Sequence, residues 1–291
     1  MLKIAIHGRR VKPDSFDEIR ALLDTLNSEG LEVIFSKTFT SSNTDLFDFD
    51  KEIVYQDNLN PGEVDFVFSL GGDGTLLEAA THVGRTEIPI LGINTGRLGF
   101  LATISKEDVQ HAIKLLLDGK FTVESRSLIQ LLSPRDLFGE KNFALNEAAI
   151  LRRDSSSMIS VKCFLNEDYL NTYWADGLMV STPTGSTGYS LSCGGPILMP
   201  SSQNFILTPV SPHNLNIRPL VIPDNGILRF EIDSRDTKLL LSLDSRSSTI
   251  ENGTEIKVKK ADFSARLVTL DGSSFVETLR NKLGWGFDKR N

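Results

Sequence analysis

The sequence predicts an α/β N-terminal domain built on a parallel sheet, followed by a C-terminal all-β domain of sandwich type. Three observations lead there. The first third alternates short apolar runs with stretches of helical period, Leu2–Ile6, then Phe16–Ser28, then Glu32–Phe35, which is the signature of βαβ units. Beyond about residue 121 the texture changes to strands punctuated by Asn, Gly, Pro and Ser, as in Ser127–Leu132, Met158–Leu165, Gly226–Ile232, Lys238–Leu243 and Glu255–Lys259. Such a run of strands without intervening helices belongs to antiparallel sheets. With 291 residues, 40% of them hydrophobic, the chain can fill the cores of two ordinary domains.

Within the first domain, an acidic polar stretch from Thr44 to Asn60 is followed by a continuous apolar run, Asp65 to Leu70, that reads as a buried strand. It ends in Gly71-Gly72-Asp73-Gly74-Thr75, after which Leu76 to Gly84 reads as a helix. A further strand, Ile88 to Ile93, leads to Asn94-Thr-Gly-Arg-Leu-Gly99, and a helix over Lys106–Leu117 ends at Asp118-Gly119, a C-cap pattern. The domain boundary is placed at 120/121. The tail, Phe275 to Asn291, holds a short helical pattern and then Leu283-Gly-Trp-Gly286. Two glycines around a tryptophan suggest a segment docked on another surface.

Charge narrows the function. A net charge of −7 and a pI near 5.2 argue against a nucleic-acid groove, which needs clustered Lys and Arg. An acidic protein that handles anions must bind them locally, through backbone N–H groups at turns and helix starts. Cys163 and Cys193 form no CxxC pair and have no His at zinc-ligand spacing, so both are expected to be reduced thiols. The N-terminus has no long apolar export segment and no stretch approaches the ~18 apolar residues of a membrane span. The cytoplasm is the expected location, with no membrane partner.

The turn Gly71 to Thr75 places a helix start at the end of an apolar strand, where exposed amides and a positive helix end make a phosphate site. Glycines let phosphate oxygens approach without a Cβ in the way. Asp73 is the one side chain there able to accept a proton. The plainer reading is an ordinary strand-to-helix turn with Thr75 as N-cap. No Gly-Lys-Ser/Thr follows, so this is not a Walker A loop, and it is not the GxGxxG fingerprint of dinucleotide-dependent hydride transfer. A phosphate site holding a carboxylate that can meet a hydroxyl points to phosphoryl transfer.

Two more segments carry polar chemistry. From Asp176 to Pro196 hydroxyl residues alternate with glycines, a loop able to bind sugar hydroxyls and an adenine edge, or merely a long turn-rich connection. Asn146-Glu147 offers an amide beside a carboxylate, suited to adenine and vicinal ribose hydroxyls, or else a solvated turn.

In order and spacing, Gly71–Thr75, Leu91–Leu101, Asn146-Glu147, the Asp176–Pro196 loop, Pro212-His213, Arg218-Pro-Leu220 and Leu283-Gly-Trp285 resemble the NAD kinases from about residue 65 to the end. The resemblance implies an α/β domain akin to those of phosphofructokinases and lipid kinases, a β-rich domain over residues 121–266, and a tail, residues 267–291, that returns to the first domain. It implies ATP as phosphoryl donor with Mg²⁺, NAD as acceptor, and a homodimer or homotetramer. Asp73 is then the general base for the adenosine ribose 2′-hydroxyl, and Gly72, Gly74 and Thr75 line the phosphate turn. Asn146 and Glu147 hold the adenosine part, Asp176 lies near the nicotinamide end, and Thr187, Gly188, Tyr189, Ser190, Leu191 and Ser192 line the adenine and ribose pocket, Tyr189 by stacking. The metal ligands stay unassigned, since no carboxylate cluster is visible and donor phosphates with water can supply much of the coordination. The chain departs from many relatives in having Gly188 in place of Ala, Trp174 at an often basic or polar position, and Arg246 in place of an uncharged amide. His213 is weighted as a structural hydrogen-bonder. Two other readings share part of the pattern: a diacylglycerol- or sphingosine-type lipid kinase carrying the same GGDGT, and a nucleotide-binding regulator without catalysis.

Overall fold

The computed structural model describes residues 2–47, 54–56, 58–96, 98–153 and 157–285. The chain divides into two compact units, Met1–Ser125 with Ala265–Asn291, and Arg126–Ser264. Among the described residues no helix is long and apolar enough to cross a membrane.

In the first unit the sheet runs in the order Val54–Tyr55, Glu32–Ser36, Lys3–Gly8, Phe66–Leu70, Ile90–Asn94, Ala265–Leu270, Phe121–Arg126, with Ile104–Ser105 also beside Ile90–Asn94. Its first five strands pair in parallel, which requires crossover connections. Helix α1, Phe16–Ser28, buries Ile19, Leu22 and Leu26 along one face. A short α2, Lys37–Ser42, is capped by Ser36 Oγ, which accepts from the Phe39 amide at 3.2 Å. Helix α3 spans Asp73–Val83. Helix α4, Val109–Leu117, buries Val109, Ala112, Ile113 and Leu116 at the i, i+3, i+4, i+7 spacing of an amphipathic helix. Gly119 follows at φ +71, the left-handed turn that a C-terminal glycine supplies. Lys106–Asp108, expected to be helical, is a separate 3-10 turn.

Two strands sit differently from the sequence texture. Phe121–Arg126, expected to open the second domain, belongs to the first sheet beside Ala265–Leu270, and Phe121 meets Phe66 edge-on at 5.6 Å. Ala265–Leu270 is more than a docked tail, because it pairs with Ile90–Asn94 in parallel. The C-terminal helix, Phe275–Leu283, adds a hydrogen bond from Lys282 Nζ to the Leu98 carbonyl. Trp285 is 52% exposed; Gly286 and the residues after it lie outside the described ones, as does Arg97.

The second unit is built on two antiparallel sheets of six strands each among the described residues. One runs Leu220–Pro223, Asn204–Val210, Gly177–Ser181, Glu147–Arg152, Lys238–Leu243, Arg246–Glu251; the other runs Asp168–Ala175, Ile159–Leu165, Leu228–Asp233, Ile256–Lys260, Ile129–Ser133, Phe143–Ala144. Their inward residues, among them Ile150, Val180 and Leu241 from the first and Val161, Phe230 and Val258 from the second, form one core. Strands such as Lys238–Leu243 alternate buried with part-exposed residues, as a sheet with one packed face does. The apolar period therefore fixes which face of each strand is left for polar chemistry.

Candidate active site

In the first unit α3 begins at Asp73, three residues before the expected Leu76, with Gly72 as N-cap and Thr75 inside the first turn. Glycine is tolerated at an N-cap, and a carboxylate in the first turn is favoured by the helix dipole. Among the described residues no side chain caps this end, so its first amides stay open to a ligand. Gly72 and Gly74 are exposed, and a methyl on either meets nothing within 4 Å. Their lack of a side chain is not demanded by the surrounding chain; it leaves the approach to the amides clear. The Thr75 amide closes the turn on the Gly72 carbonyl at 3.0 Å.

Asp73 is fixed by a loop far along the chain. Its Oδ2 accepts from the Phe100 amide at 2.9 Å, and its Oδ1 accepts from the amides of Leu101 and Ala102, both at 3.0 Å. A Cβ on Gly99 would stand 1.9 Å from Asp73 Oδ1, so the loop reaches the carboxylate only because residue 99 is glycine. An ionised carboxylate offers about four acceptor positions. Three are taken, and the half-buried Asp73 keeps one on Oδ2.

The second unit uses the same device. Asp244 accepts from the amides of Leu145, Asn146 and Glu147 at 2.9, 2.7 and 3.2 Å, and this sets the start of the strand Glu147–Arg152. The turn Thr184–Thr187 is stitched onto the same segment: Thr182 Oγ1 donates to the Leu145 carbonyl at 2.6 Å and accepts from the Gly185 amide at 3.1 Å. A Cβ on Gly185 would come within 2.1 Å of the Asn146 carbonyl oxygen. Asn146 and Glu147 are thereby held against Gly188, whose missing Cβ would lie 3.3 Å from Asn146 Nδ2 and 3.5 Å from Glu147 Oε2.

Asn146 Oδ1 and Glu147 Oε2 are buried and accept no hydrogen bond among the described residues. Two such acceptors side by side are costly unless a donor-bearing ligand meets them. Burial first, and then the charge of Asp244, pushes the Glu147 carboxyl up to about 8. Burial also raises Asp244, against the pull of its three amides and of Arg246. Arg246 turns inward, donating to the carbonyls of Lys141 and Phe143.

The remaining predicted residues divide. Thr187 Oγ1 donates to the Thr184 carbonyl at 3.2 Å. Tyr189 is 41% exposed, presenting its ring; burial raises its hydroxyl pKa, followed by Cys193 and by the charges of Glu147 and Asp176. Ser192 is exposed and Leu191 half-buried. Ser190 points inward and bonds Thr208 Oγ1 at 2.8 Å. Asp176 stands at the far end of the strand Gly177–Ser181 from that turn, paired with Arg152 Nε at 3.0 Å. The His213 amide donates to the Trp174 carbonyl at 2.8 Å, and the two rings lie 5.0 Å apart. Tyr173, His213 and Arg218 line a separate cleft of about 680 Å³ that none of the predicted site residues lines.

Sequence reading missed Asp244, Gly99 and Gly185. Nothing local marks Asp244, and the two glycines, though inside the Leu91–Leu101 and Asp176–Pro196 segments, show their part only in that a side chain would collide.

The first unit thus carries a glycine turn at an open helix start, and the second a pair of unpartnered polar acceptors. Residues 4–121 match the ATP-NAD kinase N-terminal domain and residues 145–270 the ATP-NAD kinase C-terminal domain. The chain belongs to the NAD kinase family. It is 47% identical to the NAD kinase of Cytophaga hutchinsonii over 291 residues, 99% of each chain. It is 46% identical to that of Porphyromonas gingivalis strain W83 over 286 residues, 98% of this chain and 99% of that one. The crystal structure of yeast NADH kinase complexed with NADH shares the fold, with a TM-score of 0.84 at 23% identity over 99% of this chain and 89% of that one. An NAD kinase from Archaeoglobus fulgidus in complex with ATP gives a TM-score of 0.75 at 25% identity, over 97% of this chain and 99% of that one. The lipid-kinase reading rested on GGDGT alone; the matches to both domains support NAD kinase instead.

Two outcomes follow from the Asn146–Glu147 pocket. Between pH 4.5, the ordinary value, and about 8 the folded chain holds a proton on Glu147 that the unfolded chain has lost. Stability therefore falls as pH rises through that window and levels off above it, by at most about 1.4 kcal/mol for each pH unit. Glu147→Gln removes this slope. In urea melts at pH 5 and pH 8.5 the wild type should lose more stability than the variant; equal losses reject the assignment. Gly188 has φ −94 and ψ −133; the negative φ carries no left-handed penalty, but this ψ lies outside the main regions for alanine, so the ~0.4–1 kcal/mol that Gly188→Ala gains from the unfolded state is an upper bound. Displacing Asn146 Nδ2 by a few tenths of an ångström offsets part of this. NAD affinity by calorimetry should stay similar or better, and a large joint loss of stability and affinity contradicts the expectation.

Proposed function

We propose that the chain transfers the γ-phosphoryl group of ATP to the adenosine ribose 2′-hydroxyl of NAD, giving NADP and ADP. The observation that carries the reading is the Asp73 carboxylate, oriented by three amides at an open helix start with one acceptor position left. As the ribose oxygen bonds to the γ-phosphorus and the bond to the β–γ bridging oxygen breaks, the hydroxyl proton passes to Asp73 Oδ2. A free alkoxide is far too basic to form at neutral pH, so a positioned base should contribute about 10²–10⁴ in rate. Amides at the start of α3, with Gly72, Gly74 and Thr75 around them, stabilise the phosphoryl oxygens.

In the second unit Asn146 Oδ1 and Glu147 Oε2 accept from adenosine donors, Tyr189 stacks on the base, and Gly188 and Thr187 give the wall; Leu191 and Ser192 lie along its rim. Ser190 acts through Thr208 as support. Asp176, braced by Arg152, meets the nicotinamide end. Mg²⁺ prefers one or two carboxylates together with phosphates and water. With the acceptor positions of Asp73 taken by three amides and the hydroxyl, Mg²⁺ would be carried on the donor phosphates and water, where it would neutralise charge. A cytoplasmic location and a homodimer or homotetramer are proposed with the family.

Incubation with ATP, Mg²⁺ and NAD should yield NADP; absence of product would leave a nucleotide-binding regulator. Asp73→Asn separates base from binder. The new NH₂ must face at least one of the three amide donors, so hydrogen exchange at residues 100–102 should quicken. Turnover should fall at least a hundredfold while NAD affinity stays within about tenfold, ~1.4 kcal/mol. Near-normal turnover removes Asp73 as base, and parallel loss of NAD affinity makes it a binding residue.

Asp176→Ala should weaken NAD by ~1.5–3 kcal/mol, the worth of a charge-assisted hydrogen bond, and leave ATP affinity unchanged. Equal loss for both ligands, or none, in calorimetric titrations rejects its role.

A further inference from the structure

We propose that His7, Glu78 and His82 form a binding site for a divalent transition metal of the zinc type, distinct from the Mg²⁺ of phosphoryl transfer. His7 lies near the end of the strand Lys3–Gly8, and Glu78 and His82 are one turn apart on α3, so both helix residues share a face. One ligand atom from each of the three lies within 4.8 Å of the other two. His7 Nε2 and Glu78 Oε2 are 3.4 Å apart, the separation of two ligands on one tetrahedral ion with bonds of about 2.0–2.1 Å. The two imidazoles are buried, with centroids 4.5 Å apart and planes at 58°. They converge without stacking.

Hydrogen bonding alone does not account for this arrangement. His7 is completely buried, and its Nε2 has no hydrogen-bond partner among the described residues; Glu78 Oε2, 3.4 Å away, is within ion-pair range of it. The other nitrogen, Nδ1, lies 3.1 Å from Ser36 Oγ. If Nδ1 carries the proton and donates to Ser36, the bare Nε2 lone pair faces a carboxylate, which is repulsive unless a cation lies between them. If Ser36 donates instead, Nε2–H is a buried donor with no hydrogen-bond acceptor among the described residues. A metal on Nε2 resolves the first case, and a hydroxyl on Nδ1 is the outer support that metal-bound imidazoles commonly have.

A second observation concerns Ser69, the register partner of His7 on the adjacent strand. It is fully buried, and its hydroxyl makes no hydrogen bond among the described residues. A water in the fourth metal position would give that hydroxyl a partner. Two imidazoles with one carboxylate form a set that zinc takes with an open fourth position, whereas Mg²⁺ prefers oxygen ligands alone. Arg9 donates from Nε to Glu78 Oε2 at 3.1 Å and must release it, which its 70% exposed side chain permits. The ion would pin the first strand to α3, the helix whose first residue is Asp73.

The test uses the tag-free full chain, stripped with chelator and dialysed. Titration with Zn²⁺ by calorimetry should show one ion per chain, and Co²⁺ should develop the visible absorption of a four-coordinate site. Glu78→Gln, a part-exposed position expected to keep the fold, and His82→Gln should each weaken binding at least tenfold. Ser36→Ala should weaken it about 10–100-fold without removing a ligand. Zinc should also raise the melting temperature of the wild type and not that of His82→Gln. The proposal is overturned if the wild type gives no Co²⁺ spectrum, or if Glu78→Gln and His82→Gln bind as the wild type does. NADP formation by the stripped protein with Mg²⁺ is read separately, so loss of either activity or zinc binding is distinguishable from loss of the other.

Discussion

Three backbone amides converging on one aspartate fix a loop in each unit. Asp73 draws in residues 27 to 29 positions further on, and Asp244 draws in residues 97 to 99 positions earlier. Hydrogen bonds to an ionised group contribute more than neutral ones, about 1.5–3 kcal/mol each before coupling among them is counted. The loops they hold would otherwise have only turn propensity to define them. Much of the surrounding sequence is a consequence of these clamps: Gly99 makes room for the Asp73 carboxylate, Gly185 for the Asn146 carbonyl, and Arg246 supplies positive charge near Asp244.

The clamps also explain where the electrostatics of the second unit come from. Asp244 is buried for the sake of the three amides, and its charge then acts on the next carboxylate along. Glu147 has no donor on Oε2, and burial, then the charge of Asp244, pushes its carboxyl up to about 8. A neutral Glu147 lowers the negative field at a place proposed to receive a dinucleotide, itself anionic. Under the proposed function, structural and recognition roles are divided between two carboxyls held at one segment of backbone.

The fold was legible wherever a period or a punctuation carried it. Alternating βα texture, the face of α4 and the Asp118-Gly119 stop all follow from local rules, as does the glycine turn after Phe66–Leu70. What failed was non-local. The start of α3 was read at Leu76 because glycines at 72 and 74 look non-helical, yet the first turn needs little propensity and accepts a glycine cap. Phe121–Arg126 has the polar alternation of an edge strand, and nothing local says which sheet supplies the edge. Asn146-Glu147 passed for a possible solvated turn because its burial is imposed by Asp244 and Gly185, far away in sequence. Glu78 and His82 show a helical spacing, but the third member, His7, stands 71 residues before Glu78 and adds no pattern of its own.

The chain carries 38 Asp and Glu against 31 Lys and Arg, and several of its cations are engaged by its own groups. Arg246 is turned onto two carbonyls, Arg152 braces Asp176, and Arg9 lies against Glu78. The positive character offered at α3 is instead that of peptide dipoles, which have fixed direction and no side-chain entropy to lose. Such donors do not reorganise as charge moves from one oxygen to another, whereas a lysine on a flexible stem would. For the proposed transfer the placing of Asp73 then depends on the loop 99–102 keeping its register, a backbone contact rather than a count of nearby charges.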